Sequence, residues 1–176
     1  TLNILEKAKN DGSKVIFFST YVYGQPEQLP IKENHPIKPL NPYTESKLLG
    51  EQLCKAYNRD FGVPITIFRP FNVYGPGQKT SFFIPSILDQ IHNKFIKLRD
   101  SRPKRDFIYI DDVISAIHKC IVNTNPSNYF RVYNLGTGIS TSVEEVVSLI
   151  LEISNSKSQV IFSNEIRKGE VLETKA

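Results

Sequence analysis

The run Lys-Val-Ile-Phe-Phe-Ser at residues 14–19, taken together with Val-Pro-Ile-Thr-Ile-Phe-Arg at residues 63–69, decides the fold. Both are short and almost continuously apolar, which is typical of strands that are covered on both faces in a parallel sheet. The residues between them, from about 43 to 60, are predicted to form a helix that ends before Gly62. Strand, helix and strand in this order predict a right-handed crossover unit and an α/β fold.

The remaining chain continues this alternation. Further helices are predicted at residues 1–11, about 84–91, 111–122 and about 141–154, and further strands at residues 131–135 and 160–162. The second of these helices would have one apolar face, formed by Ile84, Ile87, Leu88 and Ile91. A basic loop is expected after it, up to about residue 105. Thr141 and Glu144 have the spacing of a capping box, which would start the last helix.

Composition and charge exclude several classes of protein. The chain has 176 residues, of which 40% are hydrophobic and 23% charged, so a soluble globular protein with a real core is expected. No apolar run approaches the roughly 18 residues that span a bilayer, and no signal-like segment opens the chain, so a cytoplasmic protein without membrane attachment is expected. The net charge of +4 is interleaved with acidic residues, so no nucleic-acid partner is expected.

Cysteine and histidine show no metal-binding pattern. Cys54 and Cys120 fall inside predicted helices without a ligand on the same face, and both are expected to be buried or half-buried thiols. His35, His92 and His118 have no partners at metal spacing, so each is expected on the surface or on a helix face. The sequence therefore predicts no metal site.

Tyr43 and Lys47 lie four residues apart at the start of the predicted helix. Helical geometry would place the phenol and the ammonium on one face, about 5–6 Å apart at Cβ. A tyrosine ordinarily has a pKa of about 10, and a neighbouring cation favours the phenolate that a general base needs. Ser19 ends the first apolar strand, at the edge where ligands bind in open parallel sheets. The three residues together predict proton-transfer chemistry.

Six blocks of sequence, in order along the chain, resemble the extended short-chain dehydrogenase/reductase family. The blocks are Ser19–Gly24, Pro42–Lys47, Arg69–Gly77, Arg105–Val113, Tyr133–Gly136 and Arg167–Glu170. The resemblance is to the branch of NAD-dependent nucleotide-sugar epimerases and dehydratases, and it covers essentially the whole chain. It implies the C-terminal part of a Rossmann-like parallel sheet with helices, together with a small α+β substrate-binding subdomain.

The resemblance also implies a division of the chain. Residues 1–77 would form the second half of the NAD-binding Rossmann-like domain and would carry the Ser/Tyr/Lys site. Residues 78–176 would form mostly the substrate-binding subdomain, with residues 106–138 returning to the Rossmann-like sheet.

By resemblance, five residues form the catalytic and cofactor site. Tyr43 would be the base that takes a proton from a sugar hydroxyl while hydride passes to the nicotinamide. Lys47 would bind the nicotinamide ribose and favour the phenolate, and Ser19 would hydrogen-bond the reacting sugar oxygen. Thr20 is a second hydroxyl in the same place and could share the role of Ser19. Pro70 would border the nicotinamide pocket, and the implied cofactor is NAD, with NADP as the alternative.

Four further residues would bind a nucleotide-diphosphate sugar. Asn72 would hydrogen-bond its diphosphate or sugar, and Arg105 would pair with a phosphate through its fixed fork of donors. Arg167 would contact the diphosphate and Glu170 a ribose hydroxyl of the nucleotide. Asp106 is expected to be structural.

The residues at the end of the first strand favour one reaction. Dehydratases of the 4,6 type carry Thr-Asp-Glu there, whereas this chain has Ser19, Thr20 and Tyr21, so elimination of water is disfavoured. The resemblance then implies 4-epimerisation through a 4-keto sugar. The alternatives are a nucleotide-sugar reductase, dehydratase or decarboxylase on the same scaffold, or a non-catalytic dinucleotide-binding relative.

The chain departs from the family in one respect. It has no Gly-x-x-Gly-x-x-Gly turn after a first strand, although that turn holds the cofactor pyrophosphate. We therefore expect a fragment of a longer protein that is inactive in isolation. The complete protein is expected to form a homodimer through two helices, one of them carrying Tyr43 and Lys47. Four residues could form the outer apolar face of that helix or could pack on the sheet, namely Leu48, Leu49, Leu53 and Ala56.

Overall fold

The computed structural model describes residues 1–123, 129–166 and 169–176. Its helices in these ranges are α1 Leu2–Asp11, α2 Pro42–Phe61, α3 Phe83–Leu88, α4 Ile110–Val122 and α5 Val143–Ser154. Its strands there are β1 Val15–Phe18, β2 Ile65–Pro70, β3 Asn72–Tyr74, β4 Phe95–Leu98, β5 Lys104–Arg105, β6 Phe107–Tyr109, β7 Phe130–Leu135, β8 Thr141–Ser142 and β9 Gln159–Phe162.

Strands β1, β2 and β7 form the central parallel sheet, with β2 in the middle. Ile65 and Ile67 of β2 face a core cluster that includes Leu5 of α1 and Cys54 of α2. Phe68 belongs to a separate cluster, which includes residues of α4. Because its side chains are covered on both sides, β2 is buried from Ile65 to Arg69, which explains its continuous apolar sequence. The predicted α/β fold with a parallel sheet is confirmed.

The rest of the chain adds three small two-stranded sheets. Strands β3 and β6 pair in parallel, as do β4 and β9, whereas β5 and β8 pair antiparallel. Residues of α3, β4 and α5 share a third apolar cluster, formed by Ile87, Ile96, Val143, Val146 and Val147. The predicted basic loop up to residue 105 is therefore wrong in part, because it contains β4 and β5.

Two helices differ in detail from their sequence patterns. The last helix begins one residue later than predicted, since the capping box joins Ser142 and Glu145: Glu145 N–H donates to Ser142 Oγ at 3.1 Å, and Ser142 N–H donates to Glu145 Oε2 at 2.7 Å. Thr141 is instead paired with Arg105 in the β5–β8 sheet. Helix α3 is shorter than predicted, and Leu88 is exposed rather than part of an apolar face.

The start of α2 is fixed by local chemistry. The backbone N–H of Thr44 donates to the Asn41 side chain at 3.0 Å, which satisfies a free donor of the first turn. Pro42 occupies the first turn, and Gly62 ends the helix in the left-handed conformation, with φ of 69°. Tyr43 is thereby placed in the first turn of a 20-residue helix.

Within the described ranges, no helix combines the length and the apolar character that a membrane crossing requires. Both cysteines are buried thiols, as predicted.

Candidate active site

Ser19 follows β1 directly and is held by the neighbouring strand. Its backbone N–H donates to the carbonyl oxygen of Phe68 at 2.8 Å. The residue is only 4% exposed, and its Oγ has no hydrogen-bond partner among the described residues. A buried hydroxyl without a partner is uncommon because its desolvation is uncompensated. Such a group is suited to bonding a ligand oxygen at this edge of the sheet.

Lys47 connects the helix with the strand that leads to Ser19. Its Nζ donates to the carbonyl oxygen of Phe18 at 2.9 Å. The same nitrogen lies 5.9 Å from the centre of the Tyr43 ring and 5.6 Å from that of Phe17. Tyr43 itself is 58% exposed, so its phenol is accessible to a ligand. The ammonium therefore lies between the Tyr43 ring and the end of β1.

Two other predicted site residues lie at the same edge of the sheet. Thr20 is half-buried and follows Ser19 in the chain. Pro70 ends β2, where it is half-buried and in register with Leu135 of β7. Both positions are the carboxyl ends of parallel strands, where open α/β sheets bind ligands.

A second group of predicted residues lines a cleft of about 520 Å³. Asn72, Arg105 and Glu170 all contribute to its wall, although they are far apart in sequence. Phe82, Phe83 and Phe107 add aromatic surface to the same cleft. Arg167 lies outside the described residues.

Arg105 and Glu170 contact each other across the cleft wall. Their side chains form an ion pair and are 17% and 21% exposed. Arg105 Nη1 also donates to the carbonyl oxygen of Lys104 at 2.9 Å. An incoming phosphate would compete with the Glu170 carboxylate for this guanidinium.

Tyr21 stands where the resemblance places the glutamate of dehydratases, which serves as the base in the elimination of water. Its hydroxyl donates to the carbonyl oxygen of Gly24 at 2.7 Å, and its ring packs edge-on against Tyr23 and Phe71. Burial raises the pKa of Tyr21 to about 12, with the positive charge of Arg105 acting in the opposite direction. Tyr21 is therefore a neutral phenol near pH 7 and a poor replacement for a carboxylate.

Asp106 supports the site without facing it. It is fully buried and accepts hydrogen bonds from four groups of the 136–138 turn and of the last residue, namely Thr137 N–H, Thr137 Oγ1, Gly138 N–H and Ala176 N–H. Gly136 is required beside it, because a Cβ there would lie 2.7 Å from Asp106 Oδ2. This bonding agrees with a structural role.

The expectation that His35 lies on the surface is wrong. His35 is 4% exposed, and its ring packs edge-on against Tyr23. Nε2 accepts from the Glu27 backbone N–H at 3.0 Å, so the ring proton is assigned to Nδ1, which donates to Pro36 O at 2.9 Å. His92 and His118 are exposed, as expected.

Sequence reasoning also missed a buried ion pair next to this site. Glu51 of α2 and Arg69 of β2 are 6% and 4% exposed and bond to each other. Glu51 lies one helical turn after Lys47, and this spacing in the sequence was the available signal.

The chain is similar to known proteins along most of its length. The family model described as NAD dependent epimerase/dehydratase family matches residues 1–136. A putative UDP-glucose 4-epimerase of Methanocaldococcus jannaschii is 39% identical over 97% of this chain and 57% of its own length. GDP-6-deoxy-D-mannose reductase of Pseudomonas aeruginosa is 33% identical over 92% of this chain and 56% of its own length. The chain thus spans little more than half the length of these curated relatives.

A solved structure gives the same result. UDP-glucuronic acid 4-epimerase from Bacillus cereus, in complex with UDP-glucuronic acid and NAD, matches with a TM-score of 0.85 and 28% identity. The match covers 98% of this chain and 55% of that one. The family predicted from the six sequence blocks is confirmed. Its members similar to this chain include epimerases as well as a reductase.

Proposed function

Because the chain belongs to the NAD dependent epimerase/dehydratase family, we propose that it is the catalytic and substrate-binding portion of an NAD-dependent nucleotide-sugar 4-epimerase. One observation carries the proposal. The Lys47 ammonium lies between the Tyr43 ring and the carbonyl oxygen of Phe18, directly before Ser19, whose buried hydroxyl has no partner in the part of the chain that the structure describes. A base, a cation and a hydroxyl are thus collected at the ligand-binding edge of a parallel sheet.

Each residue has a defined task in this proposal. Tyr43 accepts the proton of the sugar C4 hydroxyl and returns it after the sugar has turned. Ser19 hydrogen-bonds the same oxygen, which gives its buried Oγ a partner. Lys47 holds positive charge beside the phenol and also binds the nicotinamide ribose. NAD, when bound, supplies the acceptor and donor of hydride. Thr20 is a second hydroxyl that can share the role of Ser19, and Pro70 borders the nicotinamide.

The cleft of Asn72, Arg105 and Glu170 would bind the nucleotide diphosphate. Arg105 has the planar fork of donors that matches a phosphate, and Asn72, the first residue of β3, adds an amide to the cleft wall. Glu170 would accept a hydrogen bond from a ribose hydroxyl once the phosphate has taken its place on Arg105. We also assign Arg167 to the diphosphate, on the resemblance alone.

Tyr21 favours epimerisation over the elimination of water. Elimination needs a carboxylate acid and base, whereas Tyr21 is a neutral phenol whose hydroxyl is already bonded to Gly24. A reductase is the second candidate, because a GDP-6-deoxy-D-mannose reductase is among the relatives. It would consume reduced cofactor, NADPH being an alternative to NADH.

We further propose a cytoplasmic homodimer. Leu49 and Leu53 of α2 are 53% and 38% exposed, so this helix has an apolar outer face on the side away from the sheet. Burial of such a face against a second copy would remove it from water.

The proposal is tested on the complete gene product, incubated with a series of UDP-sugars and NAD. Sugar configuration is followed by nuclear magnetic resonance and reduced nicotinamide by absorbance. We expect a C4 epimer without net formation of NADH. Stoichiometric NADH would indicate a dehydrogenase or decarboxylase instead, and consumption of added NADH or NADPH would indicate a reductase. No turnover of any nucleotide sugar with either the oxidised or the reduced cofactor would favour a non-catalytic dinucleotide-binding protein.

A further inference from the structure

The buried ion pair between Arg69 and Glu51 joins α2 to β2. Arg69 Nε donates to Glu51 Oε1 at 2.9 Å and Nη2 donates to Oε2 at 2.6 Å, while the side chains are only 5% and 7% exposed. Two charges removed from water are stabilised only when their geometry is good and their other polar atoms are bonded. The parallel pair of hydrogen bonds meets the first condition.

The other donors of Arg69 meet the second condition. Nη1 donates to the Tyr23 hydroxyl at 3.0 Å and to the carbonyl oxygen of Glu33 at 3.1 Å. Tyr23 in turn donates to Asn134 Oδ1 of β7 at 2.5 Å. Burial alone lowers the pKa of Arg69, but its hydrogen bonds to Glu51 and Tyr23 raise that pKa overall. Arg69 therefore stays charged, and its bond to Tyr23 also fixes the segment that follows Ser19.

The ion pair lies on the helix face that carries the proposed chemistry. Tyr43, Lys47 and Glu51 follow one another at intervals of four residues, so they share one side of α2. Lys47 is bonded to the carbonyl oxygen of Phe18 on β1, and Glu51 is bonded to Arg69 on β2. Two successive turns of the helix are thus attached to two neighbouring strands.

Both attachments are at the level of Ser19. Phe18 is in register with Phe68, the residue before Arg69, and the carbonyl oxygen of Phe68 accepts the N–H of Ser19. Gly50 lies between the two attached residues, where a Cβ would be 2.4 Å from the Phe17 ring. The helix consequently lies close to the sheet at this point, and its rotation is limited by contacts on both sides.

We infer that Glu51 and Arg69 are positioning residues for Tyr43 and Lys47. Their buried pair sets the rotation and the depth of α2 against the end of β2, so that the phenol and the ammonium stay beside Ser19. Both side chains act through Tyr43 and Lys47. The catalytic consequence rests on the proposed function, whereas the position of Lys47 can be measured without it.

The test uses the double variant Glu51→Leu/Arg69→Met in the complete gene product. Apolar side chains of similar volume often replace a buried ion pair without loss of stability, so a folded protein with an altered helix attachment is expected. Acylation of Lys47 by an amine-reactive reagent, followed by mass spectrometry of its peptide, should become faster than in the wild type. Lys55, exposed on the same helix, is the internal control and should react at the same rate in both proteins.

Turnover gives the second readout. A small displacement of reacting groups can lower a rate by about a hundredfold, so kcat should fall to that extent while KM for the nucleotide sugar changes little. Arg69→Lys keeps the charge but loses the parallel pair of guanidinium hydrogen bonds, so Lys47 acylation and kcat should change in the same direction by a smaller factor. This variant serves as the test if the double variant does not fold. Arg59→Gln, which breaks an exposed pair with Asp60, should leave both readouts unchanged.

A double variant that unfolds like the wild type and keeps both the Lys47 reactivity and kcat would overturn the inference, because the pair would then serve stability alone. Faster acylation of Lys47 in a protein whose wild type turns over no nucleotide sugar has a different meaning. It would sustain the positioning of Lys47 and contradict the proposed function.

Discussion

The Lys47 ammonium donates a hydrogen bond to the carbonyl oxygen of Phe18 at 2.9 Å, and this bond connects the two segments of the candidate site. Tyr43 lies one helical turn before Lys47, and Ser19 is the residue after Phe18. The cation is therefore held next to the phenol by the same strand end that presents the buried hydroxyl. Its removal should affect chemistry much more than folding.

Lys47→Met tests this relationship. The site would lose its cation and the attachment to β1, so kcat for epimerisation should fall by about 10²–10⁴-fold, the usual contribution of a positioned acid–base group. The free energy of unfolding, measured with urea, should fall by only about 1 kcal/mol, the typical net contribution of one hydrogen bond. Lys55→Met, at an exposed position of the same helix, is the matched control. Equal loss of activity in both variants would contradict the assignment.

Arg105→Lys tests the phosphate site of the cleft. Lysine keeps the charge but cannot form the bidentate contact, and a lost charge-assisted hydrogen bond of about 1.5 kcal/mol or more corresponds to at least a tenfold weaker Kd. Calorimetric titration of the complete gene product with UDP measures this directly. Arg59→Lys, on the outside of α2, should bind UDP as the wild type does. Unchanged affinity of the Arg105 variant would place the diphosphate elsewhere.

Asp100, which lies in the segment before Arg105, should contribute to stability at neutral pH and lose that contribution as the pH falls below about 4. The side chain of Arg102 and then its backbone N–H donate to this carboxylate and lower its pKa to about 2. In the unfolded chain the pKa of an aspartate is about 3.9. The stabilisation by Asp100 is therefore complete above that pH and is lost as the pH falls toward 2.

The urea midpoint of the wild type should thus exceed that of Asp100→Asn at pH 5–7, and the two should converge near pH 2. Asp89→Asn, at an exposed aspartate, is the control for substitution alone. A difference that stays constant over this pH range would show that the ion pair contributes nothing.

Gly50→Ala should destabilise the protein, although alanine favours helices. At an exposed helical position this change stabilises by about 1 kcal/mol. At Gly50 the added Cβ would lie 2.4 Å from the Phe17 ring, so overpacking should cost about 1–3 kcal/mol of unfolding free energy. Gln52→Ala, on the exposed side of α2, reports the propensity effect without the contact. A Gly50 variant as stable as the wild type would show that α2 can move away from β1.

Much of the central sheet could be predicted because its strands are apolar on both faces. The runs at residues 14–19 and 63–69 are short and rich in β-branched and aromatic residues, which favours strands over buried helices, and the structure forms β1 and β2 from them. Strand β4 was missed because Phe95–Leu98 is short and lies among basic residues. It becomes a strand through pairing with Gln159–Phe162, which is distant in sequence.

Spacing within one segment predicted part of the candidate site, namely Tyr43 and Lys47 on one face of α2. Two contacts between segments were not predicted. The Glu51–Arg69 pair joins a helix to a strand, and the burial of His35 results from the folding of a Pro-rich loop that has no periodic pattern. The capping box was placed one residue too early because Thr141 and Ser142 have similar cap chemistry, and only the pairing of Thr141 with Arg105 distinguishes them.

We propose that the site moves a hydride from C4 of a nucleotide sugar and returns it to the same carbon. A UDP-sugar that carries deuterium at C4 tests this step. The complete gene product is incubated with this sugar and NAD, and the C4 position of the product is examined by mass spectrometry and nuclear magnetic resonance. We expect a product with inverted configuration at C4 that retains its deuterium, without free reduced cofactor. Deuterium recovered in NADH, or a product that lacks C4 inversion, would contradict it.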